Sequence, residues 1–271
     1  MLWWMWVLIG VGVVLVLFVL ALIASKRMQK KDAAEINSPE RLDFEKRYAV
    51  SDAQRRQLAI GAPLMYSNFE SARVFKLLHG DKNPEDLRQG MEHMWGITDR
   101  ESALEILESL SKAELSSPRA KELFDAVIPS AKRNPKGLLD TFQLKQDFSG
   151  VREVLGYEEA YYTLTNIAKD VRYTPEKVEA VRNFEAWDLG RTVFIARNVA
   201  HMGFITEAEG WAYIEAASNL ASRTYFDWNE FLAAYYLGRG LTYGGKIQGG
   251  FAEVELLLRH DTNPFKGISF R

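Results

Sequence analysis

The sequence contains no cysteine among its 271 residues. This absence excludes disulfide bonds, thiolate ligands for a metal ion and a cysteine nucleophile. Histidine is scarce as well, and no two histidines have the spacing of a zinc motif; the four are His79, His93, His201 and His260. We therefore expect no metal site and no cofactor.

The chain also lacks an excess of basic residues, and its formal net charge is −2. Lys26, Arg27, Lys30 and Lys31 contribute +4 to that total, while residues 1–25 carry no charge, so residues 32–271 carry −6. A general nucleic-acid-binding protein presents a basic face. We expect no nucleic-acid partner.

No complete catalytic motif is present, so we assign no catalytic residue and favour a protein that is not an enzyme. The nearest match is the phosphate-loop pattern that runs from Gly240 to Lys246. Ile247 follows the lysine, where a serine or threonine would hold Mg²⁺, and the stretch follows a predicted helix instead of a strand.

Charge is absent from residues 2–24. As a helix this stretch is about 34 Å long, enough to cross a hydrocarbon core of about 30 Å. A cleaved signal peptide is the alternative, but no basic residue precedes the apolar run and basic residues follow it directly. Those basic residues favour a single-pass anchor with the N-terminus outside and the C-terminal domain in the cytoplasm. The lipid bilayer is thus the first expected partner.

The rest of the chain predicts an all-α fold. We divide it into an anchor (1–25), a juxtamembrane linker (26–50) and one compact multi-helix domain (51–271). Helix starts are indicated by capping patterns: Ser51-x-x-Gln54, Thr98-x-x-Glu101, Ser117-Pro118, Thr206-x-x-Glu209 and Asp227-x-x-Glu230. Gly203 indicates a helix end. No period-two alternation is long enough for a sheet.

The stretch from Phe184 to Leu241 carries the candidate site. Trp187, Asp188 and Arg191 share one predicted helix, and Arg239 lies on a later one. Asp188 and Arg191 are three residues apart, so their side chains can pair. One interpretation is a pocket in which the planar guanidinium groups bind a small anion. The other is a structural cluster in which Asp188 ties helices together through one or both arginines.

Three short motifs carry a family resemblance: Trp95-Gly96-Ile97, the run from Ala186 to Arg191 (AWDLGR) and Leu237-Gly238-Arg239. Gly203, Trp211 and Trp228 fit further positions of the same pattern. Over roughly residues 90–270 the chain resembles a bacterial family catalogued as domain of unknown function 1266. The family's usual Ser-Pro-Trp ending is replaced by Asn263-Pro264-Phe265. The resemblance implies a shared helical fold and a bacterial inner membrane for the anchor, but it carries no activity.

Together these features predict a membrane-anchored, cytoplasm-facing helical domain that acts as an interaction or regulatory module. A protein partner at the membrane is expected. The alternative is a small-anion-binding protein or an enzyme that uses the pocket of Trp187, Asp188, Arg191 and Arg239.

Overall fold

A computed structural model describes residues 38–68, 70–78, 84–122, 124–125, 181–243, 257 and 263–271. Within these ranges every regular element is a helix, which agrees with the predicted all-α class. The chain divides into two compact units, residues 1–43 and 44–271. The predicted anchor at residues 2–24 lies outside the described ranges. None of the helices inside them is long and apolar enough to span a membrane.

Eight helices have bounds in the described part of the chain. They are α1 (Pro39–Arg47), α2 (Asp52–Ala59), α3 (Ala62–Ser67), α4 (Pro84–Trp95), α5 (Arg100–Ser111), α6 (Glu185–His201), α7 (Glu207–Thr224) and α8 (Trp228–Tyr243). Residues 117–122 are helical as well, and we call this stretch the Ser117 helix. Helix α1 lies inside the range predicted as a linker. Its first turn is closed by the Ser38 hydroxyl, which accepts a hydrogen bond from the Arg41 amide at 3.3 Å.

Two of the predicted capping boxes are confirmed. At α2 the Ser51 side chain accepts from the Gln54 amide, and Gln54 reciprocates. Thr206 and Glu209 form the same arrangement at α7. The predicted start at Thr98 is wrong by one residue: Asp99 is the N-cap of α5, and its carboxylate accepts the Ser102 amide at 2.9 Å. A charged carboxylate is a stronger acceptor for these amides than a hydroxyl.

Helix α6 ends at the glycine that the sequence indicated. Gly203 has a φ of +77°, a conformation that glycine adopts without steric cost. The Gly203 amide donates to Ala200 O, and the Phe204 amide donates to Val199 O at 3.0 Å. This paired pattern is the Schellman motif. It lets the chain reverse sharply into α7.

Helix α6 is the centre of the fold. It packs against α3, α5, α7 and α8, and every residue from Ala186 to Val199 is buried. A helix that is buried on all sides needs apolar or internally satisfied side chains around its whole circumference. The charged residues on α6 must therefore find partners within the protein.

Helices α6 and α8 approach closely at Gly190. A Cβ at this position would lie 2.6 Å from Cε2 of the buried Tyr235 ring and 3.2 Å from the Ile60 carbonyl oxygen. Real Cβ atoms do not approach neighbours this closely, so only glycine fits without displacing the ring. Gly190 therefore sets how closely α8 packs on α6.

We expect Gly190→Ala to lower the free energy of unfolding by about 1–3 kcal/mol, because the methyl group overpacks the core. Gly90→Ala is the matched control, since Gly90 lies inside α4 and a Cβ there meets nothing within 4 Å. That control should raise the free energy of unfolding by about 0.5–1 kcal/mol, because alanine lowers the backbone entropy of the unfolded chain. Denaturant titration of the full chain measures both changes. Two shifts of the same sign would contradict the close approach.

Helices α5 and α7 are joined at their first turns by a bidentate ion pair. Arg100 donates from Nη2 to Glu209 Oε1 at 2.6 Å and from Nη1 to Oε2 at 3.2 Å. These bonds, together with those from Thr206, lower the pKa of the Glu209 carboxyl to about 2. The pair fixes the two helices side by side at one end.

Candidate functional site

The carboxylate of Asp188 sits at the start of the Ser117 helix. Its Oδ2 accepts the backbone amides of Ser116 at 2.8 Å and Ser117 at 3.0 Å, and the Ser117 hydroxyl at 3.0 Å. The Asp188 side chain is fully buried. A negative charge at a helix N-terminus satisfies amides that have no partner within their own helix. Asp188 thus caps a helix that begins 71 residues earlier in the chain.

The guanidinium of Arg191 completes the surroundings of Asp188. Its Nη2 contacts Asp188 Oδ1 and donates to the Ser116 hydroxyl at 2.5 Å. Only 1% of Arg191 is exposed. Its Cζ lies 4.7 Å from the Trp187 ring centroid and 5.4 Å from that of Trp95. Two aromatic faces and one carboxylate therefore stabilise the buried positive charge.

Arg239 joins this group from α8 through the same tryptophan. Its Cζ lies 5.9 Å from the Trp187 ring centroid, and the side chain is half-buried. The structure thus brings Arg191 and Arg239 to the Trp187 ring, and it pairs Asp188 with Arg191. The two arginines differ in their surroundings: Arg191 is buried and pairs with Asp188 as well as contacting the ring, whereas Arg239 contacts the ring from a half-buried position.

The N-terminus of α6 is capped by a tyrosine that the sequence reasoning missed. The Tyr225 hydroxyl accepts the Ala186 amide at 3.0 Å and lies 3.2 Å from Glu185 Oε2. Burial, and next the nearby Glu185 carboxylate, raise the pKa of the Tyr225 phenol well above its ordinary value. The hydroxyl therefore keeps its proton and holds the first turn of α6, where Phe184 offers no side-chain cap.

The segment that contains this cluster matches a family model. The model describes a protein of unknown function (DUF1266), and it matches residues 90–270. The chain belongs to this family. No curated protein and no solved structure matches it. The whole cluster around Trp187 lies inside the DUF1266 segment, which confirms the resemblance seen in the three motifs.

A second buried arginine ties the DUF1266 segment to residues that precede it. Arg197 on α6 is 1% exposed, and its Nε donates to the Phe75 carbonyl at 2.9 Å. Its Nη2 donates to the Lys76 carbonyl at 3.2 Å, and its Nη1 pairs with Glu70 at 3.3 Å. One side chain thus fixes the irregular stretch 70–78 against the central helix. Sequence reasoning missed Arg197. Its place on the same helix, six residues after Arg191, could have indicated a second buried charge.

A small cavity of about 130 Å³, lined by both polar and apolar side chains, lies beside Arg197. Lys76 and Glu207 form an ion pair of 2.7 Å at its wall, and both side chains are about half exposed. His201 lines the cavity from the last turn of α6. Within the described part of the chain, no group of three acidic or histidine side chains is placed to hold a metal ion.

Proposed function

We propose that this DUF1266 protein is an interaction module held at a membrane by residues 2–24. One observation supports the proposal most strongly: the Asp188 carboxylate accepts all its contacts from protein groups inside the core. A carboxylate in that state is neither a base nor an orienting group for a ligand, because it would first have to release a helix N-terminus. The buried charges serve the fold, so binding takes place at the surface.

The anchor gives the module its location. An uncharged stretch of this length followed at once by four basic residues is typical of a helix that leaves its C-terminal side in the cytoplasm. In that arrangement residues 51–271 lie on the cytoplasmic face of the membrane. Any partner is then a protein that is itself at or near that face.

Membrane fractionation with a reporter fused to the C-terminus tests this arrangement. The full chain should stay in the membrane pellet through alkaline washing, and a variant without residues 2–24 should move to the soluble fraction. A fluorescent protein at the C-terminus should fold and emit, whereas alkaline phosphatase at the same position should stay inactive. Active phosphatase, or a full chain that alkaline washing extracts, would refute the anchored topology.

The second candidate function is binding of a small anion at Arg239. One observation favours it: the Arg239 guanidinium rests near the Trp187 face while its side chain remains partly accessible. A planar guanidinium on an aromatic face is suited to a carboxylate or phosphate group. Arg239→Lys keeps the positive charge but removes the planar guanidinium, which can donate two parallel hydrogen bonds to one anion. It should abolish any ligand-dependent gain in stability if this site binds an anion, and it should leave the fold intact.

A further inference from the structure

A surface groove runs between α5 and α7 beyond the Arg100–Glu209 ion pair. Its volume is about 650 Å³, and it is open to solvent. Glu108 and Lys112 line it from the α5 side, and Tyr213, Ala216, Leu220 and Arg223 line it from α7. A space of this size exceeds what a single ion needs and is in the range that accommodates several side chains.

The α7 wall of the groove has the spacing of a helix-packing surface. Tyr213, Ala216, Leu220 and Arg223 follow one another at three, four and three residues, which places them on one stripe of α7. This stripe differs from the core-facing one, which carries the buried residues Ile214, Ala217 and Ala221. Ala216 leaves a gap at the middle of the stripe between the larger Tyr213 and Leu220. An incoming helix can place a large apolar side chain there.

The charged residues at the groove indicate the sign of the charge that a partner must carry there. Lys112 and Glu108 neutralise each other in an ion pair of 2.6 Å. Arg223 is exposed and, within the described residues, has no ion-pair or hydrogen-bond partner, and the same holds for the Asn219 amide beside it. One positive charge is therefore in excess along the groove. An acidic side chain is its complement.

We propose that this groove binds an amphipathic helix of a partner protein, with apolar residues over Ala216 and Leu220 and an acidic residue facing Arg223. The proposal rests on the proposed function as an interaction module and names the class of partner. Helices that dock in grooves are recognised through side chains spaced three and four residues apart, and the α7 wall of the groove has the same spacing. The acidic residue sets the register and orientation of the helix.

The test uses a yeast-displayed library of amphipathic helices of about 20 residues, long enough to hold helical structure. Leucine is fixed at three-four spacing, and the flanking positions are randomised. Selection is carried out against the full chain in mild detergent. We expect enriched clones to carry aspartate or glutamate at one flanking position. Their binding to the Arg223→Glu variant should fall by about tenfold or more, because like charges then face each other.

Ala216→Trp fills the gap and should abolish binding of the enriched clones. Ala53→Trp is its matched control, because Ala53 is an exposed alanine on α2 outside the groove, and this variant should bind as the wild type does. Equal melting temperatures of the two variants exclude unfolding as the cause. Absence of enrichment, enrichment without an acidic preference, or full binding to Ala216→Trp would each overturn the proposal.

Further outcomes distinguish a failure of the groove proposal from a failure of the proposed function on which it rests. Self-association of the full chain that Ala216→Trp prevents would make a second copy the occupant and would overturn the partner helix. The library result does not depend on residues 2–24, so a failed fractionation experiment contradicts the anchored topology alone. A failed selection with correct fractionation contradicts the groove alone.

Discussion

Replacement of Asp188 by alanine is expected to lower the free energy of unfolding by about 3–5 kcal/mol. The substitution takes the carboxylate from the buried guanidinium of Arg191 and from the two amides that open the Ser117 helix. Groups that are desolvated in the core do not regain water when their partner is removed, so most of the loss is the cost of the charge and amides that stay behind.

Asp227→Ala serves as the matched control for this result. Asp227 also accepts an amide at a helix start, from Glu230 at 2.8 Å, but its side chain is exposed. Its loss should cost about 1 kcal/mol, as surface caps do. Chemical denaturation of both full-length variants gives the comparison. Similar losses for the two aspartates would mean that Asp188 is hydrated and is not held by a closed core.

Arg197→Met is expected to be the second most damaging change, again at about 3–5 kcal/mol. Methionine fills much of the volume, but it offers no donor to the Phe75 and Lys76 carbonyls and no charge to Glu70. Adding Glu70→Gln to Arg197→Met should recover about 1 kcal/mol or more, because the neutral amide removes the buried negative charge.

Arg55→Met is the control for this pair. Arg55 pairs with Asp52 at 3.3 Å, where the aspartate is almost fully exposed, so its loss should stay within about 0.5 kcal/mol. Denaturant titrations of the single and double variants complete the cycle. Additive losses in the double variant would contradict the direct ion pair between Arg197 and Glu70.

The features that the sequence predicted correctly are contacts between residues that are close in the chain. The capping boxes at Ser51 and Thr206 involve residues three apart, so the pattern alone specifies them. At α5 the predicted pattern began at Thr98, and it did not show that the carboxylate of the next residue, Asp99, is the N-cap. The pairing of Asp188 with Arg191 followed from helix geometry in the same way.

The contacts that define the roles of these residues are not local. The serines that Asp188 caps lie 71 and 72 residues away, and the carbonyls that Arg197 holds lie 121 and 122 residues away. Backbone groups of irregular segments have no residue-type signature, so no pattern points to them as partners. For this reason the sequence left the cluster open between a ligand pocket and a structural tie.

A thermal-shift measurement on the full chain tests the central claim, that the buried charges serve the fold and binding belongs to the surface. Phosphate, citrate and a nucleoside triphosphate are each compared with sodium chloride at equal ionic strength. Each anion is kept at millimolar concentration, below the range in which phosphate and citrate stabilise proteins by exclusion from the surface, and we predict the same melting temperature in all four. A site occupied at a hundred times its dissociation constant would add about 2.7 kcal/mol of stability. An anion-specific rise of that size, lost in Arg239→Lys, would contradict the account and establish the pocket.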